Sequence, residues 1–187
     1  SETLEKLVFY ECLYDNPTAK LWVRPKEMFF EQIEVKGQKR LRFQKVEVEY
    51  KESETLTTTE KKSIAQFFKN NQIFDTFDEN KFLYQLETKS RLFTCLAFLD
   101  NEIVGAKLGY VLSPAKFYSW IGGVSPKFRK AGIASELMKK QHQWCRKQKF
   151  SLIETRTRNQ YPEMLSLNLK FGFQIVGTKL DKKGEPK

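Results

Sequence analysis

The segment whose residue types suggest chemistry most directly is Val124-Ser125-Pro126-Lys127-Phe128-Arg129-Lys130-Ala131-Gly132-Ile133-Ala134, which joins a β-like run to an amphipathic helical pattern. A helix that starts near Ile133 presents unpaired backbone N–H groups and the positive end of its dipole, an arrangement that suits phosphate. Gly132 removes a Cβ where a diphosphate would touch the main chain, and Arg129 and Lys130 add charge at the rim, so the segment reads as a pyrophosphate cradle. The G-x-x-x-x-G-K and G-x-G-x-x-G spacings are both absent, which excludes a Walker loop and a dinucleotide fingerprint. Just upstream stand Gly122 and Gly123; paired glycines at a strand end permit a bulge and the close approach of another backbone.

These residues need elements to hold them. Residues 7–14, 19–23, 29–35 and 41–50 read as short antiparallel strands, punctuated by Asp15-Asn16-Pro17, Arg24-Pro25 and Lys36-Gly37-Gln38. The composition turns polar at 52–59, where Thr57 and Glu60 have capping-box spacing. A small β-rich module over 1–53 and a larger domain over 54–187 follow, with the alternative that 43–50 supplies the first strand of the larger sheet. Ile64, Phe67, Phe68 and Ile73 predict one helix, and Phe82, Leu83 and Leu86 a second. Strands are expected at 92–99, 103–112 and 117–121, with a hairpin turn at Asp100-Asn101-Glu102. The next helix sets Ile133, Ala134, Leu137, Met138 and Trp144 against Lys139, Lys140, Arg146 and Lys147, and places His142 on the basic, solvent side. A strand at 151–157, a helix at 162–171 and a last strand at 173–180 complete the pattern.

Charge is spread unevenly. Of 33 Lys and Arg and 23 Asp and Glu in 187 residues, residues 1–53 hold ten of each sign, so the whole net charge of +10 falls on 54–187. Residues 116–158 contain eleven cations against Glu136 and Glu154, a stretch suited to an anion or to a solvated helix face. Sixteen Phe, seven Tyr and three Trp exclude a disordered chain, and no window is apolar enough for a membrane helix. Cys12, Cys95 and Cys145 are too scattered for a disulfide framework or a zinc cluster, so no metal is expected and a reducing, cytoplasmic setting is. Cys95 and Cys145 read as core thiols, and residues 179–187 as a frayed, solvated end.

The block Arg129 to Ala134 after Val124-Ser125-Pro126 resembles the signature of the acetyl-CoA-dependent N-acetyltransferase superfamily, GNAT: Arg/Gln-x-x-Gly-x-Gly/Ala after a strand ending in Val-x-Pro. A second block, Met164-Leu165-Ser166-Leu167-Asn168-Leu169-Lys170-Phe171-Gly172-Phe173, is similar to the family's helix leading into Gly-Phe. The resemblance covers 54–187. It implies an α/β fold, a mixed, mainly antiparallel sheet flanked by helices, here preceded by the small β-rich module. It also implies that acetyl-CoA is the co-substrate, that Ile121, Gly122, Gly123 and Val124 offer main-chain hydrogen bonds to the pantetheine arm, and that the Val124 N–H stabilises the thioester oxyanion. Arg129, Lys130, Ala131, Gly132, Ile133 and Ala134 would hold the diphosphate.

The family's acid and base are missing from their usual places. The strand before the loop carries no carboxylate over 116–120, and Asn168 stands where the family has the Tyr that protonates the thiolate. Glu154 and Tyr161 are the substitutes. Asn159, displaced by two residues from the family's usual Asn, and Asn168 are counted with the cofactor-facing residues. Catalysis is accordingly expected to rest on positioning and on the Val124 amide, since an amine arriving unprotonated is already a nucleophile.

The pattern Leu21-Trp22-Val23-Arg24-Pro25-Lys26-Glu27-Met28-Phe29-Phe30 with Arg42-Phe43 resembles a small uncharacterised β-rich domain of bacterial proteins that usually has a further segment ahead of Ser1, so the chain reads as truncated there. Trp22, Met28, Phe29 and Phe43 would form its core. The reading as a whole is an N-acetyltransferase acting on a primary amine of a small molecule or protein, with no membrane partner and with a homodimer compatible. A non-catalytic CoA-binding or basic nucleic-acid-binding protein is the alternative class.

Overall fold

The structure is a computed structural model and describes residues 6–11, 21–35, 37–41, 47–180 and 184. Two units divide it, residues 1–47 and residues 48–187. In the first, β1 (Leu7–Glu11) pairs antiparallel with β2 (Leu21–Pro25), and β3 (Gln32–Val35) with β4 (Gln38–Leu41). Between these hairpins lies α1 (Lys26–Phe30), so Phe29 and Phe30 are helical and not the start of the strand expected at 29–35. Phe29 packs on Tyr10 with ring centroids 5.6 Å apart, while Met28 is exposed and is not core. Trp22 is the register partner of Tyr10 in the ladder. The expectations for Cys12, for Arg42-Phe43 and for Ser1 lie outside the described residues.

The larger unit is a five-stranded sheet in the order β5 (Glu49–Ser53), β6 (Leu92–Leu99), β7 (Glu102–Ser113), β8 (Lys116–Val124), β9 (Leu152–Glu154). All neighbours are antiparallel except β8 and β9. The boundary expected after residue 53 is therefore too late. Glu49–Ser53 pairs with Thr94 to Phe98, and the larger unit begins at Val48. The alternative, a first strand of the larger sheet drawn from 43–50, comes nearer, with the strand lying at Glu49–Ser53; polar composition marked the joint late because the strand's partner lies more than forty residues away.

Alternation along β6 sends residues to two separate cores. Leu92 and Leu96 meet α2 (Thr58–Asn70) and α3 (Glu79–Thr88), where Ile64, Phe68, Phe82 and Leu86 are buried; Phe93, Cys95 and Ala97 meet α4 (Ile133–Lys147) through Leu137, Trp144 and Cys145. The Thr57 and Glu60 capping box forms as the spacing predicts, with Glu60 N donating to Thr57 Oγ1 at 3.2 Å and Thr57 N to Glu60 Oε2 at 2.9 Å. Both cores hold aromatic clusters: Phe68 touches Phe67, Phe74, Phe77 and Phe82, and Trp144 touches Phe93, Phe117 and Phe150. Cys95 and Cys145 are buried free thiols, pushed up to about 12 chiefly by burial.

After β9, α5 (Pro162–Lys170) closes the described fold. The strand expected at 173–180 is absent: only Leu180 makes an isolated bridge, and Ile175 and Val176 are 64% and 95% exposed. An apolar run becomes a strand only against an edge, and three-residue β9 offers a short one. No helix among the described residues is long and apolar enough to cross a membrane.

The strand β5 also anchors α4. Lys140 Nζ lies 3.4 Å from Glu52 Oε1 and 5.5 Å above the Tyr50 ring, and Trp144 Nε1 donates to Glu54 Oε1 at 3.0 Å. A chain beginning at residue 48 should keep these contacts and fold. One beginning at residue 54 should lose several kcal/mol, about 10 °C or more in Tm, as read by thermal unfolding of the two proteins side by side.

Candidate functional site

Strands β8 and β9 pair only at Lys116 with Leu152, Phe117 with Ile153 and Tyr118 with Glu154, and beyond that point they part. Thr155 Oγ1 donates to the Ser119 carbonyl at 2.9 Å, a side chain standing in for the next ladder bond. From Trp120 onward β8 has β7 on one side only. Ser125 N donates to Val104 O at 2.9 Å, and Val124, Gly123 and Gly122 lie opposite Gly105, Ala106 and Lys107. The alternation of an antiparallel ladder then turns the N–H groups of Gly122 and Val124 away from β7, to the unpaired edge.

That edge runs into the loop expected to hold the diphosphate. A short 3₁₀ turn, Pro126–Phe128, leads to an exposed loop in which Lys130 (φ +65°) and Gly132 (φ +80°) are left-handed, the kind of backbone that gathers successive N–H groups around an anion. Gly132 is the N-cap of α4 and supplies no capping side chain, so the first-turn donors lack an acceptor from it. A Cβ built on Gly132 would meet no protein atom within 4 Å. The glycine is thus not required by packing; it combines a φ that side chains rarely adopt with an open surface. Arg129, Lys130 and Ala131 are exposed, Ile133 is buried and Ala134 half-buried.

The paired glycines have a different reason from the one expected. The ladder irregularity falls between Ser119 and Ile121, at Trp120, and not at Gly122 or Gly123. A Cβ on Gly123 would stand 2.3 Å from Ile73 Cγ2, and one on Gly122 2.8 Å from Lys107 Cδ. Each glycine therefore admits a neighbouring side chain, one on either face of the sheet. The bulge lets both Trp120 and Ile121 pack on the α2/α3 side. There Trp120 stacks on Phe82 at 5.5 Å and meets Tyr110, which meets Tyr118. Burial holds the Tyr118 phenol above its ordinary value, with Arg156 acting against it, so it is a neutral donor at neutral pH.

Residues 57–173 match the acetyltransferase (GNAT) family. The chain belongs to that family. Residues 1–45 match a family described as a protein of unknown function (DUF1653), which agrees with the small β-rich module. Similar solved structures include an aminoglycoside N-acetyltransferase, AAC(6')-Iy, in complex with CoA (15% identity, TM-score 0.59, 74% of this chain and 95% of that one). Ard1 from Thermoplasma volcanium (17%, 0.60, 73% and 92%) and the ribosomal-protein-S18-alanine N-acetyltransferase from Escherichia coli (14%, 0.60, 74% and 88%) share the fold as well. No curated protein matches the chain. The α/β architecture read from the motifs, a mainly antiparallel sheet flanked by helices behind a small β module, is the GNAT fold, and the protein is an acetyltransferase.

The sequence-derived site residues fall into two groups. Ile121 to Val124 and Arg129 to Ala134 form one continuous path from strand edge to helix start. The proposed acid and base do not converge as clearly. Glu154 is half-buried beside Tyr118 in the ladder, with its Oε1 3.4 Å from Arg156 Nη2. Tyr161 caps α5 without a side-chain hydrogen bond and packs edge-on against Phe74. Asn159 is exposed. Asn168 is buried and spends its amide N–H on Thr157 Oγ1 at 2.8 Å, while its Oδ1 has no partner among the described residues.

Sequence reading missed Lys107. It is only 7% exposed on the α4 face of β7, and burial pushes its amine down to about 8. Its signal was present as the single charge inside the otherwise apolar run 103–112. The placement of His142 was wrong. It is buried, with Phe171 and Phe173 at 5.8 and 5.4 Å, because the chain leaving α5 covers a helix face that a wheel drawn for α4 alone leaves in solvent.

Burial first, then Arg146 and Lys107, lower the His142 pKa from its ordinary 6.5. The unfolded chain then binds more protons than the folded one below that value, so stability is intact above it and falls as pH drops through it. Lys107 acts in a separate window, between about 8 and 10.5. Replacing His142 with Phe should flatten the acid side: the Tm difference between about pH 7.5 and about pH 5.5 should shrink relative to wild type.

Proposed function

We propose that the enzyme moves an acetyl group from acetyl-CoA to a primary amine of a small molecule or protein, by direct attack within a ternary complex. The observation that carries this reading is an unpaired strand edge, residues 120–124, leading straight into an uncapped helix start flanked by Arg129 and Lys130. Acetyl-CoA supplies an acyl group already activated as a thioester. The exposed loop and the first-turn N–H groups of α4 take its diphosphate, and the open Gly132 lets the main chain touch it. The N–H groups of Gly122 and Val124 face the arm, and that of Val124 receives the oxyanion. Preorganised donors of this kind are worth ~10²–10³ in rate.

The acceptor arrives from the opposite face, at Trp120, Tyr118 and Tyr110. Aromatic faces attract an ammonium, and the Glu154 carboxylate beside Tyr118 adds to that pull. Gln160 Nε2 donates to Asp75 Oδ2 at 2.6 Å, tying the segment before α5 to the loop between α2 and α3 at the mouth of this face. No carboxylate stands on β8, so the amine loses its proton to solvent before it attacks. Two of the similar structures are named as acetyltransferases of an aminoglycoside and of a ribosomal protein's alanine, and both acceptors are amines of the class this face suits.

Replacing Gly132 with Glu puts bulk and negative charge into the diphosphate site. Acetyl-CoA affinity measured by calorimetry should fall at least ~100-fold in the folded variant; unchanged affinity would remove the cradle. A second measurement addresses the base. With two acceptor amines of different pKa, kcat/KM should rise with pH along each amine's own titration, and Glu154→Gln and Tyr161→Phe should each cost well under the ~10²–10⁴ of a general acid or base.

A further inference from the structure

Lys107 is a buried cation for which neither the fold nor the reading above has found a use. It starts on β7, yet its Cδ lies 2.8 Å from the point a Gly122 Cβ would take, so the stem lies over Gly122 of β8. Only two bonds separate Nζ from Cδ, which keeps the ammonium beside Gly122, on the strand whose outer edge β9 leaves unpaired. Among the described residues no carboxylate pairs with it. From β6, Cys95 stands opposite it in the ladder, a thiol held neutral by burial. From α4 comes His142, whose imidazole it helps to keep uncharged. From β8 comes Gly122. A charge buried this deeply without a counter-ion is costly to the fold.

Its face decides what it can meet. Lys107 lies on the α4 side, where the cradle brings the cofactor in, whereas Trp120 and Tyr118 line the other side, where the amine arrives. We infer that Lys107 receives the departing sulfur of CoA at the unpaired edge: its ammonium pairs with the developing thiolate and gives it a proton. This rests on the acetyl-CoA reading above. When the amine nitrogen bonds to the acetyl carbon, the C–S bond breaks with its electron pair on sulfur. The sulfur rests as a thiolate paired with the Lys107 ammonium while the new amide nitrogen loses its proton to water; the sulfur takes a proton from Nζ as CoA leaves the site, and Lys107 regains its own from water, so that acetyl-CoA and amine become amide and CoA thiol. An amine near 8 is well matched to a thiol of ordinary pKa ~8.5, the condition for efficient transfer. The same residue explains how Asn168, which cannot protonate sulfur, is tolerated in the place of a tyrosine.

The test uses the full chain and CoA itself, whose thiolate is read by ultraviolet absorbance while bound. In wild type the bound thiol should titrate ~1–3 pH units below free CoA. Lys107→Arg should keep that displacement and Lys107→Met should lose it, with CoA affinity by calorimetry changed less than ~10-fold in either. With the best acceptor of an amine panel, kcat should fall ~10²-fold or more in both variants, because Arg keeps the charge but holds its proton. A wild-type protein that binds CoA with a thiol titrating no lower than free CoA overturns the inference without recourse to a variant, as does full turnover in folded Lys107→Met. Full turnover in Lys107→Arg removes the proton transfer. Wild-type protein that fails to bind CoA overturns the acetyl-CoA reading itself, and this inference with it.

Discussion

Everything about the site follows from one interruption, the parting of β8 and β9 after Tyr118 and Glu154. A sheet does not give up backbone hydrogen bonds without compensation, since each buried orphan costs about 1–3 kcal/mol. Here the opening is held by specific substitutes. Thr155 Oγ1 takes the Ser119 carbonyl, and Asn168 holds Thr157 two residues on, so the chain is led away from β8 into α5 while its first polar group remains satisfied. Phe74 against Tyr161 and Asp75 against Gln160 fix the far side of the opening. The unpaired edge is therefore built in and offers a ready ladder to any extended chain carrying amide groups.

The sheet also has two unlike faces. Because side chains alternate along β8, Gly122 and Val124 belong to the α4 face, Gly123 to the α2/α3 face, and the bulge at Trp120 adds one aromatic ring to the latter. The loop from Arg129 to Gly132, the start of α4 and Lys107 lie on one side; Phe82, Trp120, Tyr110 and Tyr118 lie on the other. The parted strands are where the two sides meet.

What sequence alone disclosed was what is local. The helix start at Ile133, the Thr57 and Glu60 capping box and the apolar faces of α2, α3 and α4 are each set by residues within one or two turns of each other, and each is where the spacing put it. What it did not disclose depends on partners distant in the chain. Strand β5 is defined by β6, forty residues on; the cover over His142 comes from residues 171–173; the room for Lys107 is made by Gly122, on the neighbouring strand. Residues 173–180 show the opposite failure. Their β-like composition is real, but propensity without an edge to pair with leaves Ile175 and Val176 in solvent.

Asn168 and Lys107 make sense only when taken together. A buried residue at the Asn168 position has one face toward Thr157, and an amide there forms a 2.8 Å hydrogen bond that steadies the diverging segment. Holding the gap open in this way uses up the position from which the GNAT family's tyrosine reaches sulfur. The proton must then come from elsewhere, and the carboxylate at Glu154 is on the acceptor face with Arg156 beside it. Of the titratable groups buried on the cofactor face, Cys95 and Cys145 are held neutral by burial, and His142 is enclosed by Phe171 and Phe173. Lys107 alone among them lies over β8, at Gly122, which has no side chain to block it.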